Sequence, residues 1–120
     1  MFSFEKLDFW QKSIDFADFV YRITRTFPDG EKFGLTAQMR SAAVSISSNI
    51  AEGSSRFSGT DFARFLEIAA GSVFEVVSQS FISRRQEFLN EADFRALYAA
   101  AEERGRMLSG LRKSILERAD

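Results

Sequence analysis

The chain has 120 residues, 45% hydrophobic and 28% charged, with 16 Lys+Arg against 17 Asp+Glu. That length makes one domain with a core of its own, expected over residues 1–120. It holds no Cys and no His, which excludes disulfides, thiolate metal sites, Cys nucleophiles, Ser-His-Asp catalysis and the usual zinc sites.

The opening Met1-Phe2-Ser3-Phe4-Glu5-Lys6 lacks the basic-then-apolar order of a signal peptide. No apolar run approaches the ~18 residues of a membrane span. The expectation is a soluble cytoplasmic domain with no membrane contact.

Four segments with helical periodicity follow, with no alternating strand pattern among them. The first is expected over about residues 8–26, where Trp10, Ile14, Ala17 and Tyr21 recur at helical spacing. Phe27-Pro28-Asp29-Gly30 ends it, since proline and Asp-Gly make a turn that no helix continues through. The second is expected over 36–53, with Thr36 as N-cap, Gly53 as stop, and Leu35, Met39, Ala42, Ile46 and Ile50 on one face.

After the loop-like Gly53-Ser54-Ser55-Arg56-Phe57-Ser58-Gly59, a third helix is expected over 60–88. Thr60 caps it, Asp61 suits its dipole, and Phe62, Leu66, Ala69, Val73, Val76 and Phe81 line its apolar face. The fourth is expected over 91–118, opened by Asn90 with Asp93 three residues on. Four helices joined by short loops make an all-α, up-down-up-down antiparallel four-helix bundle.

Helix 2 carries a polar stripe: Gln38, Ser45, Asn49 and Glu52 fall within roughly 60° of one another. Apolar or small residues on two other sides enclose that helix, so the stripe reads as a buried interhelical network that sets register. A ligand or nucleic-acid site and a solvated stripe are the alternatives. Helix 3 supplies partners. Gly71, in the small cluster Ala69-Ala70-Gly71-Ser72, points to close helix–helix approach, and Glu75 one turn later accepts bonds from Asn49, Gln38 or Arg40. The network is therefore Gln38, Arg40, Ser45, Asn49, Glu52 and Glu75. A sharper alternative makes Glu52 and Glu75 an acid–base pair or metal ligands.

The Gly53–Gly59 loop has no Gly-Lys-Ser/Thr step and follows a helix, so it is no nucleotide P-loop. Arg40, Arg56 and Arg64 are the candidate contacts to nucleic acid or a partner. Phe9, Phe16, Phe19, Phe57, Phe65, Phe74 and Phe88 fall outside or at the edge of the simplest single-stripe cores. Burial between identical subunits is the economical way to keep such a surface dry.

Three strings carry a family resemblance. They are Phe27-Pro28 with Glu31, Leu35-Thr36, Gln38 and Arg40; Ser45-Ile46 with Asn49-Ile50-Ala51-Glu52-Gly53; and Phe65-Leu66 with Ile68-Ala69, Gly71-Ser72 and Glu75. Together with Phe4-Glu5-Lys6-Leu7-Asp8 and Trp10-Gln11-Lys12, they resemble the four-helix bundle proteins of the 23S rRNA intervening-sequence family. The match runs to about residue 80. The resemblance implies an up-down bundle assembling as a ring-like homopentamer, some members being encoded inside insertions in bacterial rRNA genes. It also implies kinship with the accessory variability proteins of diversity-generating retroelements, which share the pentameric bundle and bind nucleic acid and a reverse transcriptase. Those relatives are strongly basic, whereas this chain has a formal net charge of -1.

The expected function is a non-enzymatic, homo-oligomeric adaptor or RNA-associated accessory protein. Its partners would be itself and RNA or a nucleic-acid-processing protein. The alternative is a protein–protein scaffold without nucleic acid. No catalytic residue, cofactor, metal or small-molecule substrate is expected.

Overall fold

Helices α1 (Asp8–Thr24), α2 (Leu35–Ser54), α3 (Gly59–Arg85) and α4 (Glu91–Arg118) follow one another in a computed structural model that describes residues 1–118. Ala119 and Asp120, the end of the expected domain, lie outside the described residues. Short 3-10 turns at Ser3–Lys6 and Asp29–Glu31 precede α1 and α2. Successive helices run antiparallel and form a four-helix bundle of 48 × 25 × 20 Å. Packing is most extensive where α3 meets α2 and α4, and sparsest between α1 and α4.

Local hydrogen bonds explain where the helix ends depart from the expected positions. The last turn before Pro28 tightens: Arg25 N–H donates to the Arg22 carbonyl at 3.3 Å and Phe27 N–H to the Thr24 carbonyl at 3.1 Å. The α-helix therefore stops at Thr24. Helix α2 begins at Leu35, whose N–H donates to Glu31 Oε1 at 3.0 Å. Thr36, the expected cap, is buried inside the first turn instead.

At α3 the cap is Ser58 rather than Thr60: its Oγ accepts the Asp61 N–H at 3.0 Å. Ser58→Ala should cost about 1 kcal/mol, read as a lower midpoint in thermal denaturation followed by circular dichroism. The other end of α3 stops at Arg85, short of residue 88. There Phe88 N–H donates to the Ser83 carbonyl at 2.9 Å and Glu87 N–H to the Arg84 carbonyl at 3.1 Å. Glu87 takes the left-handed conformation that this helix-ending motif requires, with φ 64°. Asn90 caps α4 as expected, its Oδ1 accepting the Asp93 N–H at 2.7 Å.

The core contains Phe16, Val20, Met39, Ile46, Ile50, Leu66, Val73 and Leu97. Phe16 is 0% exposed and Phe65 6%, against the expectation that both sit outside or at the edge. Phe81 departs in the other direction. Expected on the core face, it is about half exposed, because α3 turns that edge toward a groove beside α4. Phe9, Phe19 and Phe88 are half-buried, and Phe57 and Phe74 are exposed.

Among the described residues, α3 has an 18-residue stretch apolar enough by composition to cross a membrane, longer than the composition had suggested. Glu67 and Glu75 interrupt it, and Leu66, Ala69, Val73 and Val76 lie in the core. That is the composition of a helix packed on both sides.

Candidate functional site

The polar stripe of α2 is split. Asn49 Nδ2 donates to the Ser45 carbonyl at 2.8 Å and to Ser45 Oγ at 3.0 Å. Ser72 Oγ donates across to Ser45 Oγ at 2.9 Å, pinning α2 against α3. Of the expected network only Ser45 and Asn49 stay together, and the residue that crosses to them, Ser72, was not among its expected members. Asn49→Ala should lower folding stability by about 1 kcal/mol, the ordinary worth of a half-buried amide's bonds, measurable by urea denaturation.

Gln38, Glu52 and Glu75 are exposed in the chain, correcting their expected burial. Glu52 Oε2 faces Arg56 Nη2 at 4.0 Å. Glu75 Oε2 accepts from Gln79 Nε2 at 3.3 Å, leaving Gln79 Oε1 buried without a partner. The Ser45–Ser72 register sets Glu52 level with Phe65, so Glu52 and Glu75 lie about ten residues, roughly 15 Å, apart along the bundle. They cannot act on one atom as acid and base. Among the described residues, no group of three or more Asp or Glu could hold a metal ion.

Arg40 bonds to α1 rather than joining Glu75. Its Nε donates to Thr24 Oγ1 at 2.9 Å, its Nη2 to the Tyr21 carbonyl at 3.3 Å, and its guanidinium lies 4.6 Å from the Tyr21 ring centroid. Arg56 and Arg64 sit at the other end of α2, one over the Phe65 ring at 4.6 Å and the other at 4.7 Å. Both meet Asp61, at 3.8 and 3.0 Å. The three candidate arginines therefore do not form one patch. Arg40 lies roughly 24 Å from Arg56 along α2, and the Arg56–Arg64 pair is neutralised by Asp61 and Glu52.

Periodicity did not anticipate a groove of about 740 Å³ between α3 and α4. Val73, Val77 and Ala101 form its base, Phe74, Phe81 and Tyr98 its aromatic side, and Glu102 and Arg106 its charges. Phe81 packs edge-on against Phe94 at 5.0 Å and Tyr98 at 6.3 Å between ring centroids. Phe74 is 74% exposed. The signal that could have found the groove is glycine: Gly71 and Gly105 sit in mid-helix, and a Cβ on either would meet nothing within 4 Å. Among the described residues, no helix makes the close approach expected at Gly71.

Comparison with known proteins bears on the whole bundle. No curated protein matches the chain. A solved structure, described as a protein of unknown function from the S23 ribosomal protein family of Bacteroides thetaiotaomicron VPI-5482, superposes with a TM-score of 0.78. It is 22% identical, over 88% of this chain and 98% of that one, a likeness of fold. The family model described as 23S rRNA-intervening sequence protein matches residues 5–110, a span that takes in the Ser45–Asn49–Ser72 link, the Arg56–Phe65–Arg64 stack and the groove. The chain belongs to the 23S rRNA-intervening sequence protein family.

Proposed function

We propose that this protein is a non-enzymatic, homo-oligomeric helical bundle, forming a ring of about five copies, that serves as an RNA-associated accessory protein. The observation that carries the assembly is the apolar surface left wet on a single chain: Ile68, Phe74, Phe81 and Ile82 on α3, with Tyr98 beside them on α4. Surface of that kind on a soluble protein marks an interaction site. Family membership supports the RNA association. Light scattering at tens of micromolar should give a mass several times the 13.6 kDa of the chain; a monomer there would overturn the reading.

Binding of structured rRNA should weaken steeply as salt rises, because phosphate contacts release counterions. Mobility of labelled RNA, followed from low to physiological salt at micromolar protein, measures this. A second reading, a scaffold for another protein, draws on the pairing of Arg56 and Arg64 with Asp61 and Glu52, which leaves that loop little net positive charge. RNA mobility unchanged in low salt would favour the scaffold.

A further inference from the structure

The RNA association proposed above requires a contact surface, and the corner where α1 hands over to α2 has charge that is not spent within the chain. Among the described residues, Arg22, Arg25, Lys32 and Arg40 make no ion pair, whereas Arg56, Arg64, Arg95, Arg104 and Arg112 each meet an acid. Between Phe19 and Arg40 these four cations stand against two acids, Asp29 and Glu31, in a chain whose formal net charge is -1. Glu31 is already engaged, its Oε1 accepting the Leu35 N–H at 3.0 Å. The negative end of α1 accounts for a cation in its last turn, and not for four spread over two helices and their loop.

Three of the four cations lie over aromatic rings. The Arg22 guanidinium is 4.8 Å from the Phe19 centroid, the Lys32 ammonium 5.6 Å from that of Phe33, and the Arg40 guanidinium 4.6 Å from that of Tyr21. Such contacts ordinarily occur about once per 70–80 residues, so three between Phe19 and Arg40 is a concentration. Phe33 is 90% exposed and Tyr21 39%, which leaves ring surface open at both. The bond from Arg40 Nε to Thr24 Oγ1 fixes α2 against the end of α1. Arg22 and Arg25 lie within two residues of Thr24, and Leu35, next after Lys32-Phe33-Gly34, is about 7.5 Å of rise from Arg40. Cations and rings therefore gather at one end of the bundle.

We propose that this α1–α2 corner binds an unpaired segment of RNA, with Arg22, Arg25 and Lys32 on its phosphates and Phe33 stacked on a base. This rests on the RNA-associated reading and names its contact. An unpaired strand offers both phosphates and free base faces. Duplex RNA keeps its bases stacked on one another, and an acidic protein segment answers the cations while leaving the Phe33 ring without a role. Arg40, held by the Tyr21 carbonyl and Thr24, positions the Tyr21 ring and keeps a positive charge at the foot of the surface. Asp15 and Asp18 line a polar groove with Arg22 and Arg25 and bound the surface on that side, so the strand runs from Arg22 toward the loop, away from both carboxylates.

The test uses the full chain and fluorescence anisotropy of a labelled single-stranded RNA and of a duplex of the same sequence, over a range of salt. Arg25→Gln and Lys32→Gln should each weaken binding and lower the slope of log affinity against log salt by about one. Phe33→Ala should weaken single-strand binding about fivefold or more, with the salt slope unchanged and the duplex unaffected. Asp18→Asn should tighten binding, and Arg56→Gln and Arg64→Gln should change neither affinity nor slope. A wild-type chain that binds no RNA in low salt would defeat the RNA-associated reading itself. Wild-type binding that survives Arg25→Gln, Lys32→Gln and Phe33→Ala unchanged would overturn this site and leave that reading standing. Phe33→Ala without effect, or polyglutamate competing as well as RNA, would overturn the assignment of an unpaired strand.

Discussion

Phe16→Ala is expected to remove about 3–5 kcal/mol of folding stability, the largest loss among single substitutions considered for this chain. The ring is 0% exposed and belongs to the same apolar cluster as Val20, Met39, Ile46 and Leu97. The Arg104 guanidinium lies 5.8 Å from its centroid, so truncation also strips a cationic neighbour of its apolar seat. Cavity creation is costly because neighbouring side chains relax only in part. A domain of this size has only about 5–15 kcal/mol in total, so the variant should melt far below the wild type or unfold at ambient temperature. Urea denaturation with fluorescence of Trp10 measures the difference; a midpoint within error of wild type would mean that Phe16 is not in the core.

Gly53→Ala should destabilise by about 1–3 kcal/mol through overpacking, although alanine is the better helix former. A Cβ at Gly53 would lie 2.7 Å from Phe65 Cβ and 2.9 Å from Phe62 Cδ1. The end of α2 is pressed against the first turns of α3 at that point, and Phe65 is buried and held between Arg56 and Arg64. Relief therefore requires the backbone of the corner to move. Gly71→Ala is the informative comparison, because nothing within 4 Å opposes its Cβ. Within a single chain it should gain up to about 1 kcal/mol from helix propensity. Paired urea titrations of the two variants at protein concentrations where the chain is monomeric separate steric from propensity effects. Equal shifts for both would contradict the close contact at Gly53.

Helix number, type and order were legible from spacing alone, because long amphipathic runs broken by Pro28 and by Gly- and Ser-rich loops leave few alternatives. Helix ends were less legible. Either Ser58 or Thr60 suits an N-cap chemically, and only the geometry of the incoming loop selects Ser58. Glu31, four residues before Leu35, caps α2 from a turn that sequence spacing does not define. Burial was misread where a helix touches two neighbours: Phe16 lies off the Ile14–Ala17–Tyr21 stripe but faces the centre of the bundle.

The candidate site was legible in its residue types and not in its partners. Ser45 and Asn49 do bond, yet the residue that crosses to them is Ser72, one turn before Glu75. Periodicity fixes a residue's angle on its own helix and says nothing of which neighbour stands opposite. Arg40 therefore found Tyr21 and Thr24 on α1 and not Glu75 on α3. The α3–α4 groove is a property of two helices together, so neither helix's pattern contained it.

One contact bears on how the bundle comes apart. Arg104 donates from Nη2 to the Lys12 carbonyl at 3.1 Å, tying α4 to α1 across 92 residues of chain. The links α2–α3 and α3–α4 are each closed by a short connection, whereas this one closes nearly the whole polypeptide. Loop-closure entropy rises with the length enclosed, and the α1–α4 packing that repays it is the sparsest in the fold. The N-terminal helix thus stands on a different thermodynamic footing from the other three. Its packing rests on α2 more than on α4, so a partial opening that releases α1 exposes Phe16 and Val20.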